Sequence, residues 1–213
     1  MKSIELARKN ENQGIRNGFR FLQAFLKNPK LTGGVMRSSR GLTTKMLEGV
    51  DWEKVETIVE FGPGTGAFTE SILRHMRPDA KYFAVEINEG FVDIFHERFP
   101  GVKIFRDSAE HVKDLCHQEG IEKVDLLISG LPWAWLSPDL QQRTLGAALS
   151  VLRPGGSFRT FAHVHGAWMS AGREFRKLLQ HSFPKVESSP VVWSNLPPAF
   201  VYRCSTGAKS DEK

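Results

Sequence analysis

Short apolar runs that alternate with helix-period segments predict an α/β fold. The expectation is an open, mostly parallel sheet with helices on both faces and a helical extension at the N-terminus. Two further observations locate its site. The first is the junction Val59-Glu60-Phe61-Gly62-Pro63-Gly64-Thr65-Gly66. The run Ile58 to Phe61 reads as a buried strand, and Phe68, Ile72, Leu73 and Met76 recur at helical spacing over Ala67 to Met76. Three alternate glycines between strand and helix leave a loop without Cβ atoms, so a ligand can lie close to the backbone above the helix N-terminus. The second is Glu86, which ends the strand Lys81 to Ile87, 20 residues after Gly66. A carboxylate at that strand tip can accept both hydroxyls of a ribose.

The remaining elements follow in order. Ser38 or Ser39 can cap a helix running to about Leu47. Asn88 starts a helix to Phe99, and Val102 to Phe105 is the third strand. In its exit loop Asp107 can accept the exocyclic amine of adenine, with the Ser108 or Ala109 amide near a ring nitrogen. Lys123 to Ile128 is the fourth strand and runs into Ser129-Gly130-Leu131-Pro132-Trp133-Ala134-Trp135. Pro138 to Leu152 is a helix, Arg153-Pro154-Gly155-Gly156 a turn, and Ser157 to Ala162 the fifth strand. Ser170 to Phe183 is a further helix, and Val191 to Trp193 with Phe200 to Cys204 form a closing pair of strands.

Two ligand classes use such a glycine loop. Gly62 to Ala67 also satisfies a loose dinucleotide pattern, with Ala at the third position. Glu60 sits two residues before Gly62, where a carboxylate would repel a pyrophosphate but suits a ligand with an amine and a sulfonium. Glu60-x-Gly-x-Gly-x-Gly resembles motif I of class I S-adenosylmethionine-dependent methyltransferases, so S-adenosylmethionine is the expected cofactor. A glycine turn without a ligand would leave Glu86 unexplained.

Charge is unevenly spread. Residues 1–46 carry ten Lys or Arg against Glu5 and Glu11, a net +8 in a chain whose total is +5. A basic arm of this kind is drawn to phosphate surfaces. Gly14 to Asn28 reads as a helix with Ile15, Phe19, Leu22 and Leu26 on one stripe, widened by Phe21 and Phe25 and flanked by Arg16, Arg20 and Lys27. Bulky apolar side chains beside cations suit an interfacial membrane helix better than a nucleic-acid arm, although such a helix can also simply cap the core. The expected organisation is an arm at 1–48, a catalytic domain at 49–204 and a disordered tail at 205–213. Met1 to Asn17 is polar, so no signal peptide is expected, and no apolar run approaches the ~20 residues a bilayer-spanning helix needs. Cys116 and Cys204 form no CxxC, which excludes a zinc site or disulfide framework of the usual spacing and fits a reducing compartment.

Several stretches together resemble the bacterial phospholipid N-methyltransferases that convert phosphatidylethanolamine to phosphatidylcholine. They are Phe25 with Asn28-Pro29, Ser38-Ser39, Glu60 to Gly66, Ser129-Gly130-Leu131-Pro132, and Trp193-Ser194-Asn195-Leu196-Pro197-Pro198-Ala199. The resemblance implies a Rossmann-like class I methyltransferase fold with a seven-stranded sheet of order 3-2-1-4-5-7-6 and strand 7 antiparallel. It implies phosphatidylethanolamine and its methylated intermediates as substrates, at the inner face of the cytoplasmic membrane, with an anionic membrane surface as partner and neither nucleic acid nor an obligate protein partner. The sequence departs from the family after strand five, where Ala162-His163-Val164-His165-Gly166 replaces an aromatic residue followed by Gly-Pro.

On this reading Glu60, Gly62, Gly64, Gly66, Glu86, Asp107, Ser108, Ala109 and Ser129 serve the cofactor. Phe19, Arg37, Ser38, Ser39, Arg40, Gly130, Leu131, Pro132, Trp133 and Trp135 serve the lipid. The arginines are placed to hold a phosphate, and Phe19 lies on a helix expected to close over the pocket. An ethanolamine amine must lose a proton before it attacks a methyl group, and His163 or His165 is the nearest candidate base. A methylated amine is a bulky cation that aromatic faces such as Trp133 and Trp135 can hold. No metal is required for an in-line displacement of this kind. The main alternative is a ribosomal RNA adenine methyltransferase, since Ser129-Gly130-Leu131-Pro132-Trp133 resembles the Asn-Leu-Pro-Tyr motif of those enzymes. Here Ser129 and Gly130 stand where their asparagine accepts from the target amine. A lipid-binding module that has lost activity is a third reading, against which Glu60, Glu86 and Asp107 argue.

Overall fold

A computed structural model describes residues 38–207, and the alternation read from the sequence becomes one seven-stranded sheet. In chain order the elements are α1 (Arg40–Leu47), β1 (Thr57–Phe61), α2 (Ala67–His75), β2 (Lys81–Glu86), α3 (Glu89–Arg98), β3 (Ile104–Arg106), α4 (Val112–Gln118) and β4 (Val124–Ser129). They continue as α5 (Pro138–Val151), β5 (Leu152–His163), α6 (Val164–Trp168), α7 (Ser170–Ser182), β6 (Lys185–Ser188) and β7 (Ala199–Ser205). The sheet order is β3-β2-β1-β4-β5-β7-β6, with β7 antiparallel to both neighbours and the rest of the ladder parallel. Helices cover both faces, as a mostly parallel sheet requires. One layer buries α4, α5 and α7 through Leu115, Leu145 and Phe175; the other buries α1 and α2 through Met46 and Phe68, with α3 held by Phe95. Local chemistry sets the helix starts: Ser39, Asn88 and Ser137 each accept a backbone N–H of the first turn, and Pro138 follows Ser137.

Several elements differ from expectation. The strand preceding β7 is Lys185–Ser188, not Val191 to Trp193, where Val192 makes a single bridge to Ala199. β6 is a mostly exposed edge strand of polar residues, so it lacks the apolar alternation by which strands are recognised. Arg153 to Gly156 is not a turn before β5 but an irregular stretch within it, where pairing with β4 jumps from Val124↔Leu152 to Leu126↔Ser157. The 3₁₀ turn Ala109–His111 and helix α4 were not expected. At the C-terminal end, Ser205 pairs with Ser157 and the Thr206 N–H donates to Gly156 O, so residues 205–207 continue the domain rather than begin a tail.

The expected boundary at residue 48 also moves. α1, assigned to the arm, buries Leu42 and Met46 completely in the domain core. Arg159 on β5 holds its far end, with Nη1 donating to both Met46 O and Glu48 O at 2.8 Å. A cation against the last carbonyls of a helix satisfies groups that have no partner within it. Burial lowers the Arg159 pKa to about 10, which leaves it charged at neutral pH. The expected helix at Gly14 to Asn28, with Phe19 and Arg37, lies outside the described residues. Arg159→Met should lower stability by about 1.5–3 kcal/mol, the scale of hydrogen bonds to a charged donor. A urea titration showing an unchanged midpoint would remove this clamp from the account.

Candidate active site

Because β1, β2, β4 and β5 run parallel, their carboxyl ends meet at one edge, where ligands of open α/β sheets bind. The glycine loop leaves β1 there. Gly62, Gly64 and Gly66 have φ of 61°, 54° and 78°, all in the left-handed region. Among the described residues a Cβ on Gly64 would meet nothing within 4 Å, so the loop has an open side there at its middle glycine. Its closed side faces the exit of β4. A Cβ on Gly130 would lie 2.4 Å from Gly62 O, the Gly130 N–H donates to Phe61 O at 2.7 Å, and the Leu131 side chain covers Gly62. Gly130 and Leu131, expected at the lipid, are therefore built into the wall of the glycine loop.

Glu60 lies beneath this loop and is wholly buried. Its Oε2 accepts from Tyr82 Oη at 2.6 Å and from Thr69 Oγ1 at 2.8 Å, while Oε1 has no partner among the described residues. Burial raises its pKa from 4.5 to about 7, more than the two donors lower it. Neither donor was singled out from the sequence, although the signal existed. Ile58 pairs with Tyr82 and Glu60 with Ala84 in parallel register, so Tyr82 is two residues from Glu60's partner on the same face of the sheet. At the tip of β2, Glu86 accepts from Asn88 N at 2.9 Å through Oε1 and from Gly64 N at 3.3 Å through Oε2. Burial raises its pKa as well. Each carboxylate oxygen keeps a lone pair for a further donor.

Other expected contacts are arranged differently. The Ser108 N–H, expected near an adenine nitrogen, donates to Asp107 Oδ1 at 2.6 Å, and that oxygen also meets His111 Nδ1 at 2.7 Å. Ala109 begins the 3₁₀ turn that Ser108 caps. Ser129 is buried, with Oγ accepting from Leu131 N at 3.3 Å and Trp133 Nε1 at 3.0 Å, so its hydroxyl is committed within the fold. Trp133 is 2% exposed and stacks on Phe175 at 4.4 Å. The expectation that it offers a face to a methylated amine is corrected: hydrophobic packing with α7 has taken that face. Trp135, one 3₁₀ turn on from Pro132, stays half-buried. The loop is tied down by Gln141, whose Nε2 donates to Trp133 O, Leu136 O and Ala171 O. Gln141 was missed, yet it falls on the stripe of α5 that also carries Thr144, Leu145 and Ala148.

His163 ends β5, half-buried, and its Nδ1 lies 3.2 Å from Pro197 O. A carbonyl only accepts, so Nδ1 carries the hydrogen and Nε2 keeps a lone pair. Burial lowers the His163 pKa, so the neutral ring persists at pH 7. Ring contacts connect it to the helix after the glycine loop: Phe68 to Phe161 at 5.9 Å, Phe161 to His163 at 5.4 Å, and His163 to the exposed His165 at 5.6 Å. Pro197 O also accepts from Asn195 Nδ2 at 2.7 Å, and Asn195 Oδ1 accepts from Ser39 N at 3.0 Å. One buried asparagine thus joins the start of α1 to the loop that orients His163. A cavity of about 950 Å³ opens between α1 and α2, with Ser38, Ser39 and Arg40 on one rim, Arg74 and His75 on the other, and Glu70 between.

Residues 58–156 match the family model of the methyltransferase domain. That segment is a methyltransferase domain on the Rossmann-like fold of class I methyltransferases, with S-adenosylmethionine as its cofactor. Over 193 residues the chain is 28% identical to the ornithine lipid N-methyltransferase of Singulisphaera acidiphila, covering 89% of this chain and 96% of that protein. It is 30% identical over 119 residues to the ribosomal RNA small subunit methyltransferase A of Dehalococcoides mccartyi, spanning 55% of this chain and 40% of the relative. Among solved structures, the O-methyltransferase TomG of Streptomyces achromogenes, in complex with S-adenosylmethionine, superposes with a TM-score of 0.63 at 18% identity, over 88% of this chain and 90% of that one. This last likeness is one of fold.

The methyltransferase's own residues fit the cofactor. The open side of Gly64 admits a ligand against the backbone, and Glu60 Oε1 is a buried acceptor lacking a donor that an ammonium or sulfonium neighbour would complement. Glu86 remains able to accept ribose hydroxyls. When bound, S-adenosylmethionine supplies an electrophilic methyl group. The chain's share is to hold it, to orient the acceptor and to manage the acceptor's proton.

Glu60 also makes stability depend on pH. Between 4.5 and about 7 the folded protein keeps a proton that the unfolded chain loses, so stability falls as pH rises through that window. The share of Glu60 is roughly 3 kcal/mol. Glu60→Gln should remove that share, leaving a shallower decline between pH 5 and pH 8 in denaturant titrations of the cofactor-free protein. Parallel declines in the two proteins would show that Glu60 is ionised throughout.

Proposed function

We propose that this methyltransferase transfers methyl groups to the amine of a membrane lipid, with phosphatidylethanolamine and its methylated intermediates as acceptors, toward phosphatidylcholine. The observation that carries the lipid class is the match, over nearly its whole length, to a relative named for N-methylation of an ornithine lipid. The matches to ribosomal RNA methyltransferases span only 119 residues, 55% of this chain and 40% of each relative. Charge points the same way. Residues 38–207 hold 19 Lys or Arg against 20 Asp or Glu, a net −1 that gives the folded domain little hold on an RNA backbone. The committed hydroxyl of Ser129 supports the same reading, because it is not free to accept from a target adenine. The basic, phenylalanine-bearing arm supports work at an anionic membrane surface, on the inner face of the cytoplasmic membrane.

In this reading Ser39 and Arg40 meet the lipid phosphate and His163 Nε2 takes the proton from the ammonium before methyl transfer. His163 is suited to it because its neutral form dominates at working pH and its other nitrogen is held.

Two measurements check this. Protein incubated with labelled S-adenosylmethionine should place label in phosphatidylethanolamine when offered vesicles of that lipid, vesicles of an ornithine lipid, and ribosomal RNA. Label confined to the ornithine lipid would reassign the head group, and label in RNA alone would overturn the lipid class. Separately, His163→Gln should lower kcat on the lipid by about 10²–10⁴ with little change in KM. An unaltered kcat would leave proton removal to water.

A further inference from the structure

Three large apolar side chains stand out from the described surface near the carboxyl end of β5. Trp168 is 77% exposed, Trp193 73% and Leu196 60%. Such exposure is unusual for tryptophan in a folded domain. It does not come from loose backbone. Trp193 sits at the tip of a turn pinned on both sides: Val192 N donates to Ala199 O at 2.7 Å and Asn195 N to Val192 O at 3.2 Å. The turn also rests on α1, where a Cβ on Gly41 would lie 3.1 Å from both Ser194 Oγ and Val192 Cγ1. Trp168 ends α6; Met169 N closes that turn on Gly166 O, and Arg173 Nη1 donates to Trp168 O. The fold therefore holds its backbone still and points its apolar side chains outward. Trp168 and Trp193 border one shallow cleft of about 290 Å³, whose other walls are Val164, His165 and Pro198.

We propose that Trp168, Trp193 and Leu196 form a docking surface through which the folded domain enters the interface of a lipid bilayer, an inference that rests on the lipid reading above. Tryptophan suits that depth, since its ring is apolar and its N–H can reach head groups. The surroundings match an anionic leaflet. Arg173, Arg176 and Lys177 lie exposed on α7 immediately after Trp168, and Arg40 is exposed at the start of α1, against which the Trp193 turn packs. Leu196, Val164 and Pro198 favour lipid over RNA, because aliphatic groups offer neither a stacking face nor a donor to a base. The surface also lies where it is useful. His165 lines the cleft and stacks on His163, so a lipid drawn from the bilayer at this edge arrives beside the candidate base.

The test uses the full chain and a Trp168→Ser/Trp193→Ser/Leu196→Ser variant, with vesicles of phosphatidylethanolamine and phosphatidylglycerol in about 0.5 M salt, where the basic arm is largely screened. The variant should sediment with vesicles at least about tenfold less than the natural protein. Brominated acyl chains should quench tryptophan emission of the natural protein and not that of the variant, which keeps Trp52, Trp133 and Trp135. Binding of S-adenosylhomocysteine should be unchanged, as a check of folding. Equal vesicle binding and equal quenching would overturn the proposal. So would loss of ribosomal RNA binding instead of vesicle binding, or conversion of a dimer to a monomer, which would assign the patch to RNA or to a second copy. Methyl transfer to lipid in detergent micelles separates this failure from that of the function. If the natural protein methylates no lipid in either form while the variant still loses vesicle binding, the surface stands and the acceptor is wrong.

Discussion

Near the end of β1, one carboxylate is buried with only half of its hydrogen-bonding capacity met. Tyr82 and Thr69 hold one oxygen of Glu60, and the other faces no donor among the described residues. An isolated charge is costly there, so burial holds the proton on until a positive ligand group or a higher pH removes it. The elements around it are arranged to keep this arrangement dry and open at one point. Leu131 and Gly130 close the glycine loop from the β4 side, and Gly64 leaves the opening. A positive ligand group placed against this acceptor would offset the cost of its burial, since a ligand that binds only the folded state stabilises it.

A second constraint organises the acceptor side. Asn195 is buried, and its side chain accepts from Ser39 N and donates to Pro197 O. Through Pro197 O it shares an acceptor with His163, so the start of α1, the loop before β7 and the end of β5 hold one geometry. The aromatic series from Phe68 to His165 crosses from the glycine loop's helix to the outer cleft. The candidate cofactor cluster around Glu60 and the candidate acceptor cluster around His163 are thus separate in sequence, and ring contacts lead from the helix after the glycine loop to His163. A substrate amine and a methyl donor held by these two clusters would be oriented by the sheet edge itself rather than by mobile loops.

Trp133 and Trp135, two residues apart in the sequence, have different fates from the two tryptophans exposed at the surface. Trp133 is consumed by the core, where Phe158 and Phe175 pack on it and Gln141 fixes its carbonyl. Trp168 and Trp193, 25 residues apart in the chain, come to border one cleft. A fold that had no use for an apolar surface would be expected to cover these rings, since burying each is favourable. Their exposure on a pinned backbone is consistent with a protein whose substrate lives in a bilayer.

The features legible along the chain are those encoded by neighbouring residues. The glycine loop, Glu86 at its strand tip, the Ser39 and Asn88 caps and the strand–helix alternation all depend on residues within a turn or a strand of one another, and periodicity reports such relations directly. Only the tertiary structure decided the rest. Arg159 reaches α1 across 113 residues and Asn195 reaches Ser39 across 156, and no local pattern signals either. β6 went unread because an exposed edge strand buries no alternating face, and Trp133 was misplaced because a loop tryptophan looks the same in sequence whether its ring meets solvent or Phe175. The physical reason is common to all four: burial and long-range hydrogen bonds are properties of the packed chain, settled only when distant elements compete for the same partners.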